Sequence, residues 1–238
     1  MNGEVKIPGD ASTGDPPSPA YARTPEGATR GVVVIHEILG RAPEIDRVVD
    51  RFASRGYAAV APDLFHLGQV ACMRAVMHAM KTGDDIAPVR QARRAHAWLC
   101  EQAGLAPTNV GIIGFCFGGG FALLAGHGFG AISANYGVVP PVERLRGLPP
   151  VIGCYGDRDW MFAKKPDELR KNLADAEVEH EVHTFPGVGH SFLTDGDRPV
   201  TFALTYPLFR IRYDAAVAED AWEKILRFFE ARLMTRQG

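Results

Sequence analysis

Apolar residues in this chain fall in short β-branched runs separated by longer amphipathic stretches, and that alternation organises the sequence. Arg30–Ile35 (Arg-Gly-Val-Val-Val-Ile) is apolar at successive positions, as in a strand buried on both faces. Tyr57–Ala61 (closed by Pro62), Val110–Ile113, Ala131–Tyr136, Val151–Tyr155 and Glu181–Phe185 also read as strands. Between them the period lengthens. Pro43–Arg55 predicts a helix with Gly56 as a cap just past its end. Ala71–Met80 predicts a second. Asp85–Cys100 predicts a third, opened by Asp84 or Asp85, with Ile86, Val89, Ala92, His96 and Leu99 on one face. Further helices are expected up to about Ala125, over about Pro166–Ala176, and over Ala215–Met234, where Ala218, Trp222, Ile225, Phe229 and Leu233 share a face. Residues 10–28 are rich in Pro, Gly and Ser and read as a loop with a short edge strand near Tyr21–Ala22. Strands alternating with helices predict an α/β fold, a mostly parallel sheet with helices on both faces. No Pro/Gly linker separates two composition regimes, so residues 1–238 are expected to form one domain without a separate lid.

Composition narrows the function classes. The chain is 46% hydrophobic and 23% charged with net charge −2, which leaves no basic footprint for nucleic acid. The opening Met1-Asn-Gly-Glu-Val-Lys does not read as a signal peptide. The apolar run from Val110 to Gly126 is shorter than the ~20 residues of a membrane span, and four glycines interrupt it between positions 114 and 120. Cys72, Cys100, Cys116 and Cys154 are scattered, with no C-x-x-C and no metal-ligand spacing. They read as free thiols of a cytoplasmic protein, with no metal and no membrane partner.

One cysteine stands out. Gly114-Phe115-Cys116-Phe117-Gly118-Gly119-Gly120 follows the Val110–Ile113 run and reads as a strand turning sharply into a helix with Cys116 at the apex. Glycines on either side suit a strained turn packed against neighbouring backbone. The N-terminus of the following helix would favour a thiolate and receive negative charge. An inert buried thiol is the competing reading.

In an open parallel sheet, ligands bind beyond the carboxyl ends of the strands. Three residues of one chemical logic are expected there. Cys116 follows Val110–Ile113, Asp159 follows Val151–Tyr155 in Gly156-Asp157-Arg158-Asp159, and His190 follows Glu181–Phe185 in Gly189-His190-Ser191-Phe192. An imidazole can take a thiol proton while a carboxylate holds the imidazole in the right tautomer. Asp159 is preferred as the acid because it lies beyond the turn, and Asp157 remains the rival. A fourth candidate, His36-Glu37-Ile38, ends the Arg30–Ile35 strand, where backbone N–H groups of Ile38 and Phe117 could form an oxyanion hole. Glu37 beside that hole either acts on the ionisation of Cys116 or pairs with Arg41.

These motifs, over nearly the full chain, resemble the dienelactone hydrolase family of the α/β-hydrolase superfamily. The carriers are His36-Glu37-Ile38, Gly-Phe-Cys-Phe-Gly-Gly, Gly-Asp-x-Asp and Gly-x-Gly-His-Ser-Phe, with Pro62-Asp63-Leu64-Phe65 and the final helix also in accord. The resemblance implies an α/β-hydrolase fold and a Cys116–His190–Asp159 triad cleaving a small ester or lactone. It also implies that Glu37 accepts the Cys116 proton when substrate arrives, and that no metal or organic cofactor takes part. The family's arginine shortly after the catalytic histidine, which holds a substrate carboxylate, is replaced here by Thr194. Arg74, Arg198 or Arg210 could stand in for it. Phe192 and the apolar Thr194–Arg212 segment are expected to wall the pocket of a monomer or homodimer. A binding module of the same fold without turnover is the alternative function, and a redox-sensing thiol a third.

Overall fold

A computed structural model describes residues 2–194 and 214–233. Among them eight strands form one sheet: β1 (Asn2–Ile7), β2 (Ser18–Arg23), β3 (Arg30–Ile35), β4 (Tyr57–Pro62), β5 (Val110–Phe115), β6 (Ile132–Asn135), β7 (Val151–Gly156) and β8 (His180–Phe185). Their order across the sheet is β1-β2-β4-β3-β5-β6-β7-β8. β2 runs antiparallel to both β1 and β4, and every pairing from β4 to β8 is parallel.

The helices are α1 (Pro43–Ser54), α2 (Gln69–Thr82), α3 (Ala87–Ala103), α4 (Phe117–Ala125), the short α5 (Val142–Leu145), α6 (Lys165–Asp175) and α7 (Ala215–Arg232). Register places them on both faces. Gly31 pairs with Val110, and a Cβ on Gly31 would meet Leu99 and Leu105 at the α3 side. The next pair, Val32 with Gly111, faces the other way, and a Cβ on Gly111 would meet Phe229 and Leu233. Successive strand residues point to opposite faces, so α3 and α7 cover opposite sides of the sheet. The core is continuous around Phe52, whose ring contacts Tyr57, Trp222 and Phe229 at centroid distances of 5.6, 5.8 and 6.0 Å. Among the described residues no helix is long and apolar enough to cross a membrane.

Several boundaries correct the sequence reading. Residues 10–28 are mostly loop with one strand through Tyr21–Ala22, as expected, but that strand, β2, is six residues long, and β1 rather than β2 is the sheet edge. The alternation in β2 rests on small residues, Ser18, Ala20 and Ala22 inward, which carry little hydrophobic signal. α3 begins at Ala87, not Asp85, because Pro88 has no N–H to give and belongs in the first turn. Asp85 lies ahead of that helix and pairs with Arg90 and Arg93. α4 begins directly at Phe117, so Gly118, Gly119 and Gly120 lie inside the helix and Cys116 is its N-cap.

Candidate active site

The elbow between β5 and α4 is a close-packed turn. Cys116 has φ 55° and ψ −116°, a conformation held by its surroundings. Its N–H donates to the Asn135 carbonyl at 3.0 Å, and the Asn135 side-chain amide donates to the Gly114 carbonyl at 3.0 Å. A Cβ on Gly114 would stand 1.9 Å from the Gly118 carbonyl oxygen, and one on Gly118 would stand 2.6 Å from that of His36. Glycine is therefore required at both places, and it lets α4 approach the end of β3. The Phe117 N–H, at the first position of α4, has no intrahelical acceptor and is free to donate. The helix dipole adds positive potential there.

Beyond β7 and β8 two loops are laced together. Asp157 and Arg158 donate backbone N–H groups to the carbonyls of Phe185 and Val188 at 2.9 and 3.0 Å. The Asp157 carboxylate accepts from the Gly187 N–H at 2.8 Å, an exposed turn contact. Asp159, almost wholly buried, is the acid that meets the imidazole: its Oδ2 lies 2.6 Å from His190 Nδ1. His190 packs between Phe162 (stacked, 4.9 Å) and Tyr136 (edge-on, 5.1 Å). Burial alone would push the imidazole pKa down, but its interactions with Asp159 and Cys116 win and push it up to about 10. Cys116, half-buried at the elbow, is thus on the same imidazole as Asp159. Burial pushes Cys72 up to about 12 and raises Cys100 and Cys154 as well.

Glu37, at the end of β3, is buried and faces three hydroxyls. Thr194 and Tyr136 donate to Oε1 at 2.9 and 3.3 Å, and Ser191 donates to Oε2 at 3.3 Å. The pairing with Arg41 is not formed, because Arg41 binds Glu4 and Asp46 at 2.7 and 2.9 Å. Cys116, Tyr136 and Ser191 all have positive φ (55°, 39° and 55°), so backbone strain gathers around this carboxylate and the elbow. Ile38 is half-buried beside Glu37. Phe192 is fully buried against Tyr136 and Phe185, backing the site rather than opening into it. Arg74 is exposed on α2, and no hydrogen bond joins it to Cys116, His190 or Glu37 among the described residues. Arg198 and Arg210, with the rest of 195–213, lie outside the described residues. Tyr136, Ser191 and Asn135 were not singled out from sequence. Tyr136 directly follows β6, a strand end on the same edge of the sheet, and that position is the signal that could have found it.

The strand order and the sharp elbow between β5 and α4 define an α/β-hydrolase fold. The dienelactone hydrolase family model matches residues 19–233, and the chain belongs to that family, one of ester and lactone hydrolases. It is 28% identical to the carboxymethylenebutenolidase of Rhodococcus opacus, covering 96% of this chain and 92% of that one. A provisionally named carboxymethylenebutenolidase of Yersinia pestis is 30% identical over 95% of this chain and 87% of its own length. Among solved structures, a dienelactone hydrolase-like promiscuous phosphotriesterase from metagenomic libraries shares the fold. Its TM-score is 0.75 at 23% identity, covering 96% of this chain and 98% of that one.

Proposed function

We propose that this protein opens a small ester or lactone through an acyl-cysteine intermediate, with Cys116 as nucleophile, His190 as acid and base, and Asp159 orienting His190. The observation that carries the reading is the single imidazole shared by a buried carboxylate at 2.6 Å and the strained elbow thiol. Glu37 leaves its three hydroxyls, takes the Cys116 proton and becomes neutral, which removes a negative charge from beside the oxyanion hole. The thiolate attacks the carbonyl carbon, and the oxyanion is received by the N–H groups of Ile38 and Phe117. As the C–O bond breaks, imidazolium His190 protonates the departing oxygen. Neutral His190 then takes a proton from water, hydroxide attacks the thioester carbon, and the C–S bond breaks. The departing thiolate recovers its proton from Glu37, and acid and alcohol leave. In a lactone both groups stay on one molecule.

The name carboxymethylenebutenolidase, shared by the relatives, supports a butenolide ring as substrate, and Thr194 qualifies it. Its hydroxyl is already used on Glu37, and it carries no charge for a substrate carboxylate. A small ester or lactone without a carboxylate at that point fits best. With an activated aryl ester, wild type should turn over steadily, and iodoacetamide should alkylate Cys116 and stop it. Cys116→Ala should lose several orders of magnitude in kcat. Full activity in Cys116→Ala would overturn the reading, and binding without turnover in wild type would leave a ligand-binding module in its place.

A further inference from the structure

His36 is fully buried and makes two hydrogen bonds that leave its ring no choice of tautomer. The Leu64 backbone N–H, which can only donate, lies 3.1 Å from Nε2. The Glu37 carbonyl, which can only accept, lies 2.8 Å from Nδ1. The proton is therefore on Nδ1, and the ring bridges the Glu37 carbonyl to the loop after β4. Phe65 packs edge-on against it at 4.5 Å, and burial keeps the imidazole neutral by lowering its pKa. The Glu37 carbonyl also accepts from the Gly40 N–H at 3.1 Å, and Gln69 donates to the next carbonyl, that of Ile38.

Direction follows from the sheet. β3 lies between β4 and β5, with Leu64 beyond β4 and Cys116 beyond β5. His36 draws the Glu37 carbonyl toward the β4 side. In a trans peptide the C=O and the following N–H point opposite ways, so the Ile38 N–H is turned toward the β5 side, where Cys116 stands. We propose that His36 is a positioning residue of the oxyanion hole: its Nδ1–H fixes the Glu37–Ile38 peptide so that the Ile38 N–H is aimed before substrate arrives. This rests on the reading of Cys116 as nucleophile and Ile38 as an oxyanion donor. The effect is specific to the transition state, because a ground-state carbonyl bears little of the charge the N–H stabilises.

Two substitutions separate the two ends of the ring. The amide of His36→Asn falls near Nδ1 and can still donate to the Glu37 carbonyl. The amide of His36→Gln reaches the place of Nε2, can still accept from Leu64, and leaves the Glu37 carbonyl without its side-chain donor. Rates with an activated aryl ester are taken per alkylatable Cys116, so an unfolded fraction does not count. His36→Gln should lower kcat tenfold or more with KM within about threefold, since loss of an oxyanion donor costs about 10²–10³. His36→Asn should recover most of that loss even where its melting temperature falls further. Equal kcat in the two variants, with only stability responding, would overturn the positioning role while leaving Cys116 in place. Turnover surviving in Cys116→Ala would instead overturn the catalytic reading and this inference with it.

Discussion

Thr194 donates its hydroxyl to Glu37 at 2.9 Å, joining the loop after His190 to the end of β3 across 157 residues of sequence. The contact explains how a carboxylate is tolerated in a buried position at the end of β3. It is solvated by Thr194, Tyr136 and Ser191 in place of water. Trp222 steadies the same loop from behind, donating its indole N–H to the Leu193 carbonyl at 3.1 Å.

Thr194→Val keeps the shape and removes the donor. The shortest of the three hydrogen bonds to a buried carboxylate is then lost, and stability should fall by about 1–3 kcal/mol. Urea unfolding at neutral pH measures it. An unaltered midpoint would mean that the hydroxyl contributes nothing to holding Glu37.

Glu37→Gln tests the proton acceptor. A neutral amide fits among the hydroxyls but cannot take the Cys116 proton, so acylation should slow by orders of magnitude while the alkylated fraction of Cys116 at long times is unaltered. The pre-steady-state burst with an activated ester reads the step directly. A burst as fast as wild type would leave His190 as the base.

How much of this was legible in the sequence depended on how local each feature is. The elbow was readable because an apolar run, a cysteine and five glycines occur between Val110 and Gly120. Cys116, Asp159 and His190 were readable as candidates because each follows a strand on one edge of the sheet. β1 was not: Asn-Gly-Glu-Val-Lys-Ile has little apolar character, and its pairing with β2 (Val5 opposite Ala20) makes it a strand. The hydroxyls around Glu37 were hidden too, because they come from positions 99, 154 and 157 residues away and no periodicity encodes their meeting. His36 stood in a recognised motif, yet the tautomer on which its proposed role rests is set by Leu64, which only the β3–β4 pairing brings near.

The two aspartates after β7 should separate sharply. Asp159→Asn keeps the volume but favours the wrong imidazole tautomer, an effect of about 10⁴ on kcat in a serine protease. Asp157→Asn can still accept from the Gly187 N–H, so its effect should stay within a few-fold. Steady-state kinetics of both variants decide it. Comparable losses in the two would mean that the acid role does not follow the 2.6 Å contact.

His190 should also leave a mark on the pH dependence of stability. Burial opposes its positive charge, yet Asp159 and Cys116 raise its pKa from 6.5 to about 10 in the folded protein. Between those values the folded state binds a proton that the unfolded state has released, so stability falls as pH rises through that window. The contribution is complete below about pH 6.5 and gone above about pH 10. His190→Gln lacks it, so the stability gap between wild type and this variant should be widest near pH 6 and shrink steadily toward pH 10. Urea midpoints of both proteins at pH 6, 7, 8, 9 and 10 give that gap, with titrating groups remote from His190 common to both and cancelling. A gap that stays constant, or widens with pH, would show that His190 is not held as imidazolium between Asp159 and Cys116.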